Sequence, residues 1–174
     1  MAKKKVLLDF HVDDLTNSIR NRISGDSFPT EVTHLTKTDL KTVTKRNGWS
    51  FNWKSELNII ELEVYKLTIN NNPGVVQGIM SVSIEPEHVF MRLLESAPFN
   101  IGRDKLYEGV AGNLVAHACK LSFMNGYEGF VSFSAKTKLI KHYEKALGAY
   151  HFGGHKMIIP TDAARKLVER YFKE

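Results

Sequence analysis

The hydrophobic period changes between the middle of this chain and its last third, and that change restricts the fold more than any other feature. Ile60, Leu62 and Val64 alternate with Glu61, Glu63 and Tyr65, the period of a half-buried strand. Asn70-Asn71-Asn72-Pro73-Gly74 is a turn signal, and residues 75–84 read as a second strand. Glu85-Pro86-Glu87 turns the chain again before a third strand over 89–94. Three strands joined by short turns make an antiparallel meander. Beyond residue 109 the period lengthens to that of a helix, with Leu114, Val115, Ala118 and Leu121 on one face and Asn125-Gly126 at its end. A strand over 130–133 follows, then a helix carrying Leu139, Ile140, Tyr143 and Leu147 and ended by Gly148. Two short strands around Gly153-Gly154 and a C-terminal helix capped by Thr161 complete the chain. A meander followed by a β-α-β-α-β run predicts an α/β protein (α+β, mixed), with a mostly antiparallel central sheet and helices on both faces.

The first third carries weaker signals. Leu15, Ile19 and Ile23 fall four residues apart, which predicts a short helix over 13–24 that Gly25 ends. Residues 31–35 read as a strand, and Thr38 as the cap of a helix that carries Leu40 and Val43 and stops near Gly48. Trp49, Phe51 and Trp53 read as core aromatics. With 174 residues the chain has the size of one domain: a 1–29 extension and a 30–174 globular unit.

No stretch reaches the ~20 apolar residues of a membrane span. The basic cluster Lys3-Lys4-Lys5 precedes an apolar run that stops at Asp9, too soon for a signal-peptide core. The reading is a cytoplasmic protein without a membrane partner. A single cysteine, Cys119, agrees with a reducing compartment and, mid-helix among alanines, reads as buried and structural. The net charge of +5 favours anionic ligands. Nucleic acid is one such ligand, but the basic residues are scattered, so a phosphorylated cofactor is the better match. His151 and His155 lack a third partner at metal-ligand spacing, so no metal is expected.

The most informative stretch is Tyr107-Glu108-Gly109-Val110-Ala111-Gly112-Asn113. Small residues let the backbone approach a ligand, and the helix that follows aims its unpaired N–H groups and dipole at it. Such a site suits a pyrophosphate. It lacks the Lys-Ser/Thr ending of a P-loop and the full Gly-x-Gly-x-x-Gly of a dinucleotide fold. Further on, a strand from Gly129 leads into a helix ending Tyr143-Glu144-Lys145-Ala146-Leu147-Gly148. In these two motifs, their order and the preceding meander, residues 30–160 resemble the GCN5-related N-acetyltransferase (GNAT) family. Three positions depart from its pattern: Leu106 stands where Arg or Gln is usual, Lys136 where Asn is usual, and residues 98–108 make a longer link.

The resemblance implies an acyl-CoA N-acyltransferase fold and direct transfer of an acetyl group from acetyl-CoA to a primary amine. It implies a cofactor site at Gly109, Val110, Ala111, Gly112 and Asn113, with Arg103 and Lys105 serving the phosphates in place of the usual side chain. The oxyanion donor would be a main-chain amide at Leu93, Leu94 or Glu95. Tyr143 would protonate the departing thiolate, and Glu95 would act as base, with Glu61 and Glu63 as weaker candidates. The acceptor amine is open, an aminoacyl-tRNA among the alternatives, as is a homodimer. A different class, a non-catalytic module that keeps the fold, stays beside the enzyme.

Overall fold

A computed structural model of the chain describes residues 6–13, residue 15 and residues 18–172. Lys3-Lys4-Lys5 lies outside the described residues, as does part of the helix expected over 13–24. The described part of that stretch is extended: β1 (Ile19–Asn21) pairs with β2 (Ser27–Phe28), and Gly25 sits in the turn between them. Ile19 is fully buried, but Ile23, which shares its face on a helical wheel, is 89 % exposed. The four-residue spacing there reflects no buried helix face.

The main sheet has seven strands among the described residues. β3 (Thr30–His34), β4 (Glu63–Ile69), β5 (Gly78–Glu85) and β6 (His88–Ser96) form an antiparallel run. β8 (Val131–Ser134) lies parallel to β6, and β10 (Lys156–Ile159) and β9 (Tyr150–His151) continue the sheet beyond it. The strand order is β3-β4-β5-β6-β8-β10-β9. The expected meander is present and slightly displaced: Ile60 is 96 % exposed, and β4 starts at Glu63.

Among the described residues four α-helices accompany the sheet. α1 (Trp53–Leu57) starts at Asn52, whose side chain accepts from the Ser55 amide. Thr38 does not cap a regular helix: two 3-10 turns, Asp39–Lys41 and Lys45–Asn47, occupy that stretch. The Asp39 carboxylate takes the Thr36 amide and hydroxyl, which holds the turn from below. α2 (Val110–Met124) packs on β4, β5, β6 and β8, and α4 (Thr161–Tyr171) packs on α2. Thr161 is the first helical residue of α4, and Pro160 is its cap. α3 (Ile140–Leu147) ends at Gly148 in the left-handed conformation, as expected. Gly112 serves the packing of α2 on α4: a Cβ there would lie 2.3 Å from the Tyr171 hydroxyl oxygen. Cys119 is fully buried in α2, where burial pushes its thiol pKa up and leaves it inert. No helix among the described residues is long and apolar enough to cross a membrane.

A second, three-stranded sheet changes how the site is built. The long link after β6 returns as β7 (Tyr107–Glu108) and pairs with β1, giving the order β2-β1-β7. Arg20 reinforces it with a 2.5 Å ion pair to Glu108. The N-terminal residues and the long link therefore brace each other.

One half-buried histidine ties stability to pH. His117 on α2 packs edge-on against Tyr65 with ring centroids 4.6 Å apart, and neither ring nitrogen has a hydrogen-bond partner among the described residues. Burial first, then the charges of Lys120 and His34, lower its pKa to about 4. A neutral folded histidine stabilises fully above its unfolded pKa near 6.5, and that stability disappears as pH falls toward 4. His117→Phe keeps the ring contact and removes the proton site. Melting curves of this variant should fall less between pH 6.5 and 4 than those of the wild type. Parallel curves would refute the assignment.

Candidate active site

The site begins where two neighbouring strands part. β6 and β8 share the rungs Val89–Val131 and Phe90–Ser132 and no further rungs, although β6 continues to Ser96. The separation starts at a bulge: Ser81 faces Leu93 while Val82 faces Met91, so Arg92 is the extra residue. Arg92 is held there by Glu56 of α1, with Nε 3.2 Å from both carboxylate oxygens. Glu56 also accepts the Ser81 hydroxyl at 2.8 Å.

Past the bulge, main-chain donors of β6 turn into the gap. The Ala97 amide donates to the Gln77 carbonyl on the β5 side at 2.9 Å. Strand amides alternate sides with a period of two, so those of Leu94 and Ser96 point the other way, toward β8. Of the three amides expected as oxyanion donors, alternation selects Leu94; Leu93 and Glu95 turn toward β5.

The gap opens into a cleft of about 790 Å³ lined by Leu94, Glu95, Ser96, Lys105, Ala111 and Lys136, with the N-terminal residues 6–13 along one wall. At one end lies the start of α2. Gly109 caps it with a φ of 93°, a left-handed conformation that a side chain would strain. The first helical bond runs from the Asn113 amide to the Gly109 carbonyl, so the amides of Val110, Ala111 and Gly112 have no helical acceptor. The Gly109 amide donates to the Asp13 carboxylate at 3.0 Å, and the Lys105 ammonium lies 3.1 Å from the same group. An anion thus already sits where the glycine motif predicts one. The Asn113 side chain turns away and donates to the Thr30 hydroxyl. The carbonyl of Arg103 holds Arg22, and the Arg103 residue does not line the cleft.

Asn100 fixes the long link at the rim of the cleft. Its amide nitrogen donates to the Gln77 carbonyl and side chain, and its oxygen accepts the Tyr107 amide at 3.1 Å. Nothing in the sequence marked Asn100, Asp13 or Phe10, because each acts through a partner distant in the chain.

Tyr143 is fully buried on α3 with its ring centroid 4.8 Å from Phe10 and 5.3 Å from Phe133. Its hydroxyl donates to the Phe10 carbonyl at 2.6 Å. Burial, then the charge of Asp9, pushes its pKa far above the usual tyrosine value, so the hydroxyl stays protonated at neutral pH. Beside it the His142 Nε2 accepts the Val12 amide at 2.9 Å, which requires a neutral ring. Burial and then His11 lower the pKa of His142 and keep it neutral.

Glu95 has a different task from the one its position suggested. Its carboxylate accepts the Ser50 amide at 2.6 Å, the Phe51 amide at 3.2 Å and the Trp53 indole at 2.8 Å. Three donors occupy most of its roughly four lone-pair positions. The side chain anchors the Ser50–Trp53 loop against β6. Glu63 is likewise occupied, by the Tyr65 hydroxyl at 2.6 Å. Among the described residues no group of three His, Cys, Asp or Glu side chains could hold a metal.

A bulged strand parting from its parallel neighbour, with a helix N-terminus at the end of the gap, defines the fold of the GNAT acetyltransferases, and comparison with solved structures agrees. The chain is similar to aminoglycoside acetyltransferase AAC(6')-Ib in complex with coenzyme A and kanamycin, with a TM-score of 0.55 and 15 % identity over 79 % of this chain and 98 % of that one. It is similar to the AtaT toxin, a tyrosine-to-phenylalanine mutant bound to the C-terminus of the antitoxin AtaR and acetyl-CoA (TM-score 0.54, 18 % identity, 79 % and 97 % covered). It is also similar to the ribosomal-protein-S18-alanine N-acetyltransferase of Escherichia coli (TM-score 0.50, 13 % identity, 75 % and 90 % covered). No family model matches the sequence, and no curated protein matches it by sequence. The chain has the GNAT fold.

The role of Glu95 is testable. Glu95→Gln presents an NH₂ group to three N–H donors and should cost about 1–3 kcal/mol of stability in denaturant unfolding. Cleavage in the Ser50–Trp53 loop during limited proteolysis should rise with it. Unchanged unfolding would show that the carboxylate does not anchor the loop.

Proposed function

We propose that the chain is an N-acetyltransferase that binds acetyl-CoA in the β6–β8 cleft and passes the acetyl group to an amine by direct attack. One observation carries this reading: the cleft at the parting of β6 and β8 is lined by Ala111 of the α2 N-terminus and by Phe10, whose carbonyl takes the Tyr143 hydroxyl. The residues present suit the cofactor's anionic end, since the Gly109 amide and Lys105 already hold a carboxylate. Val110, Ala111 and Gly112 would add their amides to a pyrophosphate. Lys105, which lines the cleft, would supply positive charge from the long link, while Arg103 is exposed outside the lining and would act only at longer range.

Acetyl-CoA supplies an activated acyl group, and the chain's residues position and polarise it. The Leu94 amide faces the gap and would donate to the carbonyl oxygen as it gains charge. Tyr143, kept protonated, would give its proton to the leaving sulfur, the attacking amine would shed its proton to solvent, and the phenolate would be reprotonated from solvent. Glu95 positions the loop that walls the cleft. The acceptor would come from the opposite face of the sheet. A cavity of about 520 Å³ lies there, lined by Phe90, Arg92, Phe152 and Met157 among others, with Glu85 as its carboxylate. Val6 lines both cavities, so an acceptor held in the second would meet the acyl group near this residue. Residues 30–174 would form the transferase domain and 1–29 its extension.

The test is acetyl transfer, followed by thiol release, with a panel of polyamines, aminoglycosides and peptide N-termini. Tyr143→Phe should lower turnover by a factor on the order of 10² or more without weakening coenzyme A binding. Absence of thiol release with every acceptor, at millimolar acetyl-CoA, would favour a non-catalytic module.

A further inference from the structure

The N-terminal residues do more than cross the surface: they lie in the cleft as a ligand would. Leu8 adds a rung to the sheet where β6 has left β8. It forms an isolated parallel bridge with Ala135, its amide donating to the Ser134 carbonyl at 2.7 Å and its carbonyl accepting the Lys136 amide at 3.0 Å. Two residues on, the Phe10 carbonyl takes the Tyr143 hydroxyl, the group assigned above to the leaving sulfur. Val12 donates to His142, and Asp13 places its carboxylate on the Gly109 amide and Lys105, the groups assigned to the pyrophosphate. Leu8 and Val12 are buried at 2 % and 4 % exposure, and Asp9 adds an ion pair to Lys136 at 2.7 Å. The extended chain thus meets, in order, the sheet gap, the catalytic hydroxyl and the anion site.

We infer that residues 6–13 are a built-in competitor of the acyl-CoA cosubstrate, docked in its cleft and displaced when it binds. The inference rests on the reading that this cleft takes acyl-CoA, and it adds a regulator to it. Both occupants need the same groups: the Gly109 amide has one hydrogen, and the Tyr143 hydroxyl has one proton to donate. A tethered peptide competes at an effective concentration in about the millimolar range, independent of protein concentration. The docked segment joins the sheet by one bridge, and its polar holds at Tyr143 and Gly109 are the ones the cosubstrate would replace. Its attachment to β1, which pairs with β7 of the long link, would keep it close after release.

The experiment compares the full chain with Asp13→Ala and with a chain lacking residues 1–13, using coenzyme A as the titrant in calorimetry. A segment docked nine-tenths of the time weakens apparent affinity about tenfold, so both altered proteins should bind about that much tighter. Asp13→Ala keeps Leu8 and Val12 in the core, which guards against loss of folding in the truncated chain. Hydrogen exchange on the full chain supplies a separate readout. Coenzyme A should raise exchange at the Leu8 and Val12 amides while slowing it at 109–112. Coenzyme A binding with Leu8 and Val12 still protected, or equal affinity in all three proteins, overturns the competitor and leaves the transferase reading standing. Binding by none of the three overturns both.

Discussion

The parting of β6 from β8 is the constraint on which the rest of this structure depends. Two adjacent parallel strands normally satisfy each other's amides and carbonyls along their length. Here they do so for two rungs, and one inserted residue, Arg92, then turns β6 aside. The Arg92–Glu56 pair, 12 % and 6 % exposed, holds that bulge from the α1 side. Removing one partner would leave the other charge buried, a far larger penalty than the pair gains. The bulge therefore keeps open a row of main-chain donors in the middle of a sheet, where unpaired donors are otherwise costly. An open row of this kind calls for an occupant.

In the structure, part of that occupancy comes from the chain itself. The long link over 98–108 departs from the family pattern, and its geometry explains the departure. Asn100 pins the link to Gln77, β7 pairs with β1, and Lys105 reaches Asp13. The added length makes a platform for the N-terminal residues beside the anion site. Insert and extension form one device, although some eighty residues separate them in sequence.

The catalytic assignments divide along the same line. Tyr143, the proposed proton donor, is held by Phe10 and Phe133, and burial keeps its hydroxyl protonated at neutral pH. Glu95, which stands at the strand end where a base was expected, instead gathers three donors from the Ser50–Trp53 loop. A carboxylate occupied in this way holds the Ser50–Trp53 loop beside the cleft.

The meander, the glycine-started α2 and the Gly148-ended α3 were legible in the sequence because each follows from local rules: period, turn residues and caps. The same rules misread the first third. Ile19 and Ile23 keep helical spacing, yet the segment is a strand, since pairing with β7 supplies what a helix face could not. Thr38 and Thr161 looked like caps, but no side-chain cap bond forms at either. The candidate site was half legible. Gly109 and Tyr143 carry motif signals, whereas Asp13, Phe10, Asn100 and the true engagement of Glu95 depend on contacts across 7 to 133 positions of chain. Short-range geometry is written residue by residue, and so the chain alone determined its elements and the place of an anion site. Which donors stay free, and what lies against them, is decided only when distant segments compete for the same hydrogen bonds in three dimensions.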